Sequence, residues 1–312
     1  MMDMDKKILI IDDLHPAFKE RAMEMGYAVD DRPDISRAET LAILSGYVGL
    51  AVRTKFRIDA EVLAAGPSLR FIARAGAGLD NIDVALAKEK NIALLAANEG
   101  NCDAVGEHAI GLLLALMNNF RKADREVRQG LWDREGNRAY ELKGKTVGII
   151  GYGFMGQSVA RKLSGFEVNV IAYDKYKTGF SDAYAREVSM EEIVKQSDIL
   201  SLHIPLTRET RQLVDEEYLR HFKKPIFLLN TARGEIVSTT AVLAAIEAGK
   251  VLGAGLDVLE TEKFPALAGE PWYEALCANE RVILSPHVAG WTFESYRKIS
   301  EVLAAKLADI RL

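Results

Sequence analysis

The chain has 312 residues, more than one compact domain usually holds, so two domains are the first expectation. Its 49% hydrophobic and 27% charged residues suit an ordinary globular protein, and a formal net charge of -5 lacks the basic surplus typical of a nucleic-acid binder. With only Cys102 and Cys277 there is no disulfide framework and no zinc spacing, and the apolar stretch 109–117 is too short to span a bilayer. The N-terminus shows no signal-peptide pattern, so a cytoplasmic protein with no membrane partner and no nucleic-acid partner is expected.

In chain order, KILIID (7–12), GLAVRT, RFIARAG and IALLAAN read as strands, with helical character at 59–65 and 83–90 between them. A long helical segment follows through HAIGLLLALMNNFRKADREVRQG, with Asp103 as a candidate N-cap and a break expected within it. The arm LWDREGNRAYEL has no clear period. A second strand-helix series then begins: KTVGIIG, GFMGQSVARKL, VNVIAYD, EEIVKQ, DILSLHI, DEEYLRHF, PIFLLN, TTAVLAAIEAG, VLGAGLDV and RVILSPH. Residues 293–312 read as one amphipathic helix. Alternation of this kind predicts an α/β fold with parallel sheets and crossover helices.

VGIIGYGFMG carries the sharpest local chemistry. Gly151, Gly153 and Gly156 form G-x-G-x-x-G between an apolar strand and a helix. Glycines there permit a tight turn, close backbone approach to a pyrophosphate and close helix packing, and the helix N-terminus favours the anion. Asp174 ends the next strand, where a carboxylate accepts from ribose hydroxyls and repels a 2′-phosphate, which predicts NAD rather than NADP. Lys175, beside it, leaves room for NADP.

Three further polar residues stand at or just past strand ends: Arg233 in NTARGE, Glu262 after VLGAGLDV, and His287 ending RVILSPH. Ligands bind at such ends in open α/β sheets. Dehydrogenation of a hydroxy acid needs a base for the hydroxyl proton, a carboxylate to orient that base and a cation for the substrate carboxylate, roles suited to histidine, glutamate and arginine. The plainer alternative, a structural histidine with solvated Arg and Glu, stands beside that reading.

Taken together, these segments resemble the D-isomer-specific 2-hydroxyacid dehydrogenase family over about residues 49–292. RAGAGLDNID is similar to its substrate loop, VGIIGYGFMG to its cofactor motif, and LHIPLTRETRQLV to the segment over the cofactor, with His203, Pro205 and Thr210 matching. LLNTARGEIV resembles the segment of the catalytic arginine, here Arg233; GAGLDVLETE that of a nicotinamide-side aspartate, Asp257, and the catalytic glutamate, Glu262; and SPHVAG that of the catalytic histidine, His287. The resemblance implies further cofactor contacts at Tyr152, Phe154, Met155, Thr231, Ala232 and Gly290.

The family implies two doubly wound (Rossmann/flavodoxin-like) parallel-sheet domains with a cleft between them. A discontinuous substrate domain would comprise residues 1–98 with 290–312, and an NAD-binding domain residues 99–289. It also implies a homodimer built through about 104–140, with Arg134 reaching the partner's site. The chain departs from common family residues at Glu99, Lys263 and Trp291.

The substrate expected is a small anionic 2-hydroxy or 2-keto acid. Arg53 and Arg74, with Gly76, Ala77 and Gly78 for the carboxylate beside Arg233 and His287, look most like the 3-phosphoglycerate dehydrogenase branch. Surface arginines paired with acids such as Asp80 are nearly as good a reading. A glyoxylate or hydroxypyruvate reductase is the rival enzyme, and an NAD-sensing corepressor the rival of another class, which need not keep Arg233, Glu262 and His287.

Overall fold

Short aliphatic runs bounded by Gly, Asp and Pro become buried parallel strands. In the computed structural model, which describes residues 6–310, the first five are β1 (Lys7–Ile10), β2 (Ala28–Asp31), β3 (Gly49–Val52), β4 (Phe71–Arg74) and β5 (Ala93–Ala96). They form one parallel sheet in the order β2-β1-β3-β4-β5. Crossovers run through α1 (Pro16–Glu24), α2 (Arg37–Ile43), α3 (Ala60–Ala65) and α4 (Val84–Glu89). Alternate strand residues enter opposite cores: Ile8 and Ile10 join Phe18 and Phe71, whereas Leu9 and Ile11 join Leu50 and Ile72. Both faces are covered, so these strands read as continuous rather than alternating apolar runs.

The sequence reading did not mark α1, β2 or α2. Strand β2 (AVDD) is a sheet edge and only partly buried, so it carries no apolar run. Helix α2 is set by a capping box in which Ser36 and Glu39 satisfy each other's backbone. Asp59 and Asp83 cap α3 and α4.

The chain continues through α5 (Asn98–Met117) and α6 (Phe120–Arg128). Asp103 is not an N-cap: α5 begins at Asn98, and Asp103 lies inside it, paired with Arg161 at 2.7 Å. The expected break falls at Asn119, whose φ of 54° is left-handed.

The second sheet comprises β6 (Thr146–Ile150), β7 (Asn169–Tyr173), β8 (Arg186–Glu187), β9 (Ile199–Leu202), β10 (Ile226–Asn230), β11 (Val251–Leu256) and β12 (Val282–Leu284). All pairs are parallel, in the order β12-β11-β10-β9-β6-β7-β8. The order reverses between β6 and β9, the switch point where open α/β sheets bind ligands. Its helices are α7 (Phe154–Leu163), α8 (Met190–Gln196), α9 (Glu216–His221), α10 (Thr239–Glu247) and α11 (Tyr273–Ala278).

The last helix, α12 (Phe293–Ala308), packs on α1 and β5. Ile299, Leu303 and Leu307 enter the core that holds Ile8 and Phe18. Lys306 donates to the Ala96 carbonyl at 2.7 Å and pairs with Glu99 at 2.8 Å. The departure at Glu99 therefore anchors α12. The expected helix runs to 312, but α12 ends at Ala308 with Asp309 as its C-cap, and residues 311–312 lie outside the described residues.

The chain divides into two units: the residues up to Cys102 with those from Trp291 onward, and Asp103–Gly290. Among the described residues no helix is long and apolar enough to cross a membrane.

Candidate active site

The glycine loop of the second unit leaves β6 at Gly151, whose φ is +93°. A Cβ at Gly151 would overlap the carbonyl of His203, and one at Gly156 would overlap the carbonyl of Gly151. Gly153 faces open space and is the N-cap of α7, with no side chain satisfying the first amides of that helix. Among the described residues no side chain caps those first amides, which suits a diphosphate.

Tyr152 turns its side chain inward. It is 1% exposed, its hydroxyl bonds the Asp182 carboxylate at 2.9 Å, and its ring stacks on Phe180. Burial, with Asp182 beside it, pushes that phenol well above its ordinary range. Only the Tyr152 backbone remains in the loop, its N–H donating to Asp174 Oδ2 at 2.9 Å. Asp174 also accepts from Tyr176 N at 3.0 Å and so stands at the loop with its carboxylate oriented. Phe154, 47% exposed, and Met155 open α7.

His203 and Thr231 follow β9 and β10, whose C-terminal ends lie beside that of β6 in the sheet order. His203 Nε2 meets Ser201 Oγ at 2.8 Å, while its Nδ1 and Thr231 Oγ1 are buried with no hydrogen-bond partner among the described residues. His203 as a residue is partly exposed, but its Nδ1 is buried, and burial pushes the imidazole down to about 4. Buried polar atoms of this kind normally find partners, so their position fits the polar groups of a dinucleotide. Thr210 braces its own loop, donating to the Pro205 carbonyl at 2.7 Å. Ala232 is buried, its N–H held by Asn230.

The Asp174 geometry carries a prediction. Asp174→Ala should narrow the preference for NADH over NADPH by about 1.5–3 kcal/mol, the range for hydrogen bonds to a charged group. Fluorescence titration checks this. An equal loss for both cofactors would mean that Asp174 only holds the Tyr152 amide.

Three neighbouring strands present the remaining residues. Arg233 follows β10, Asp257 and Glu262 follow β11, and His287 follows β12. His287 Nδ1 lies 2.9 Å from Glu262 Oε2. Glu260, two residues before Glu262, is committed elsewhere, accepting from Thr239 N at 2.7 Å and Gln212 at 3.2 Å. Gly234 lets the Arg233 turn press on the backbone at Leu259, because a Cβ there would overlap the Leu259 carbonyl.

Asp257, expected on the nicotinamide side, is held among hydrogen bonds. It is 1% exposed, and its two oxygens accept from Ser285 Oγ (2.5 Å), Val288 N (2.9 Å) and Ala289 N (2.9 Å). The carboxylate is occupied by the loop that carries His287 and runs on to Gly290.

The other unit holds the remaining expected substrate residues. Arg74 ends β4 and Arg53 directly follows the neighbouring β3, with Val52 opposite Arg74 in register. The Arg74 guanidinium folds over Gly76, whose φ is +147°, and leaves no room there for a Cβ. Ala77 and Gly78 continue that loop. Asp12 Oδ2 accepts the amides of Arg53, Thr54 and Lys55 at 3.0, 2.7 and 2.8 Å. The Arg53 guanidinium stacks 3.0 Å above the Trp291 ring. Among the described residues that guanidinium has no hydrogen-bond or ion-pair partner, and burial lowers its proton affinity against the opposing pull of Asp12 and Asp13.

Sequence reasoning missed Ser285, His108 and the Asp257 network. A histidine directly before the apolar run 109–117 of α5 was the available signal. Among the described residues no group of three or more His, Cys, Asp or Glu could hold a metal.

The family described as D-isomer specific 2-hydroxyacid dehydrogenase, NAD binding domain, matches residues 110–289. A D-3-phosphoglycerate dehydrogenase of Archaeoglobus fulgidus is 33% identical over 306 residues, which are 97% of this chain and 57% of that protein. A hydroxypyruvate reductase of Thermotoga maritima is 35% identical over 273 residues, 88% of each. The crystal structure of a D-lactate dehydrogenase from Aquifex aeolicus complexed with NAD and lactic acid superposes with a TM-score of 0.82 at 26% identity, covering 97% of this chain and 94% of that one. The chain thus spans little more than half of the phosphoglycerate dehydrogenase but most of the two others. With its two parallel-sheet units and its glycine loop, the chain belongs to the D-isomer specific 2-hydroxyacid dehydrogenases, oxidoreductases that act on CH–OH groups with NAD.

Proposed function

We propose that this chain interconverts a small anionic 2-hydroxy acid and its 2-keto acid. The His287–Glu262 pair carries the reading: an imidazole held at 2.9 Å by a carboxylate, on a loop beyond the sheet's strand ends. NAD, when bound, supplies the nicotinamide that takes or returns the hydride. His287 takes the hydroxyl proton at Nε2, since Nδ1 is engaged. Glu262 orients the ring, and Arg233 holds the substrate carboxylate. Steady-state turnover of NAD with a panel of 2-hydroxy acids tests the reading. NAD binding with no turnover of any acid would favour the sensing alternative.

The substrate these residues favour is 3-phosphoglycerate, with a place in serine biosynthesis following from it. Supporting it is Arg53, a half-buried cation without a protein acceptor among the described residues, backed by Trp291. Arg53→Ala should lower kcat/KM for 3-phosphoglycerate by about 1.5–3 kcal/mol and hardly touch D-glycerate, because only the former loses a charge-assisted hydrogen bond. Equal losses would make Arg53 structural. Glyoxylate or hydroxypyruvate reduction would then take over, a reading favoured by the indole already covering one face of the guanidinium and by the hydroxypyruvate reductase relative.

We further place the protein in the cytosol, a reducing compartment that suits a chain with only two cysteines, Cys102 and Cys277. We also propose a homodimer through residues 104–140, where Phe120, Val127 and Trp132 are 59%, 53% and 77% exposed.

A further inference from the structure

We propose that His108 is a positioning residue for His287, acting through Ser285 and Asp257; the proposal rests on the dehydrogenase reading of the site. His287 has a φ of 56°, a left-handed conformation that a residue with a Cβ seldom adopts and that surrounding contacts must impose. Beside a longer backbone bond from His287 N to the Ser285 carbonyl at 3.1 Å, most of the contacts converge on Asp257. The His287 N–H donates to the Asp257 carbonyl at 2.7 Å, and the Asp257 carboxylate takes the two amides that follow, Val288 and Ala289, and the hydroxyl of Ser285 before it.

Ser285 has one hydroxyl proton, and the 2.5 Å bond to Asp257 Oδ1 uses it. Its oxygen therefore accepts from the other neighbour, His108 Nε2, at 2.9 Å. That assigns the proton to Nε2 of His108 and gives the relay a direction: His108 N–H to Ser285 O–H to Asp257. His108 Nε2 also lies 3.5 Å from Asp257 Oδ1, so a protonated ring adds an ion pair to the same carboxylate.

Helix α5 delivers His108 to this height. Gly255 of β11 admits Leu112 Cβ at 3.1 Å from where its own Cβ would stand, and Gly253 brings Leu116 close in the same way. Leu112, Leu113 and Leu116 share a core with Ile149, Phe227 and Leu229. The helix is thereby seated on β11, and one turn before Leu112 its histidine meets the residues just beyond the strand's end. The small residues of VLGAGLDV serve this close approach, and the next residues are Asp257 and the site.

The test uses the full chain with His108→Ala, His108→Gln, Ser285→Ala and the double variant of the two alanines. His108→Ala should lower kcat on the order of 10–100-fold, as removal of residues that orient catalytic groups does, with NADH affinity and substrate KM nearly unchanged. His108→Gln keeps an N–H donor and should recover most of the loss. Ser285→Ala breaks the same relay, so the double variant should be no worse than either single one. His287 ring signals in NMR should move in His108→Ala and return in His108→Gln. There are five histidines to assign, and this readout needs no turnover. Equal losses in Ala and Gln, additive losses in the double variant, or an unmoved His287 signal would overturn the proposal. A wild-type protein that turns over no 2-hydroxy acid would sink the dehydrogenase reading, and the NMR comparison would still decide whether His108 sets His287.

Discussion

His287→Ala is expected to lower kcat by about 10²–10⁴-fold, the loss typical of a missing general acid or base. The geometry explains why so much rests on one side chain. Its Nδ1 is engaged by Glu262 at 2.9 Å, and the ring is 49% exposed rather than sealed in the core. The fold holds this ring in place at a conformational cost, through the left-handed backbone of His287. Substrate and NADH binding should change far less, since a base acts mainly in the transition state. Glu262→Gln keeps a group that can bond Nδ1, so it should lower kcat less than Glu262→Ala, which leaves the ring unheld. Equal losses in the two variants would mean that more than the bond to the ring is at stake, since Glu260 is already bonded to Thr239 and Gln212.

Asp257→Ala should cause the largest loss of stability. Three donors converge on this buried carboxylate: the Ser285 hydroxyl and the amides of Val288 and Ala289. Each donor left without an acceptor costs about 1–3 kcal/mol, less whatever entering water recovers. For a unit of this size, a few kcal/mol corresponds to a melting temperature lower by roughly 10 °C. Asp257→Asn should rescue little, because the amide's NH₂ would face a donor. Thermal unfolding monitored beside NADH titration checks the assignment. A variant with unchanged stability but weakened NADH binding would return Asp257 to a contact with the cofactor.

Much of this was readable without coordinates, for physical reasons. Strands buried on both faces must be continuously apolar, so KTVGIIG, PIFLLN and VLGAGLDV stood out. The glycines at 151, 153 and 156 are imposed locally, by a turn, an open helix end and an overlap with the Gly151 carbonyl. Strand ends followed by Arg233, Glu262 and His287 could be marked because catalytic side chains in such sheets follow strand C-termini. The edge strand β2 and helix α2 escaped because half-exposed elements leave little periodicity, and the start of α5 was misplaced because Asp103 looks like a cap while serving as an ion-pair partner.

Only the tertiary structure decided what depends on residues far apart in the chain. That α12 packs against α1 and β5 rests on Lys306 meeting Ala96 and Glu99, a contact no local pattern encodes. That Glu262 rather than Glu260 faces His287 depends on which way a loop turns its carboxylates. That Asp257 serves a loop, and that His108 bonds Ser285 across 177 positions of sequence, follows from α5 seating on two glycines of β11. Periodicity and capping act within a turn or two of chain, whereas hydrogen bonds between loops follow from packing that is settled only when the sheet and its helices are assembled.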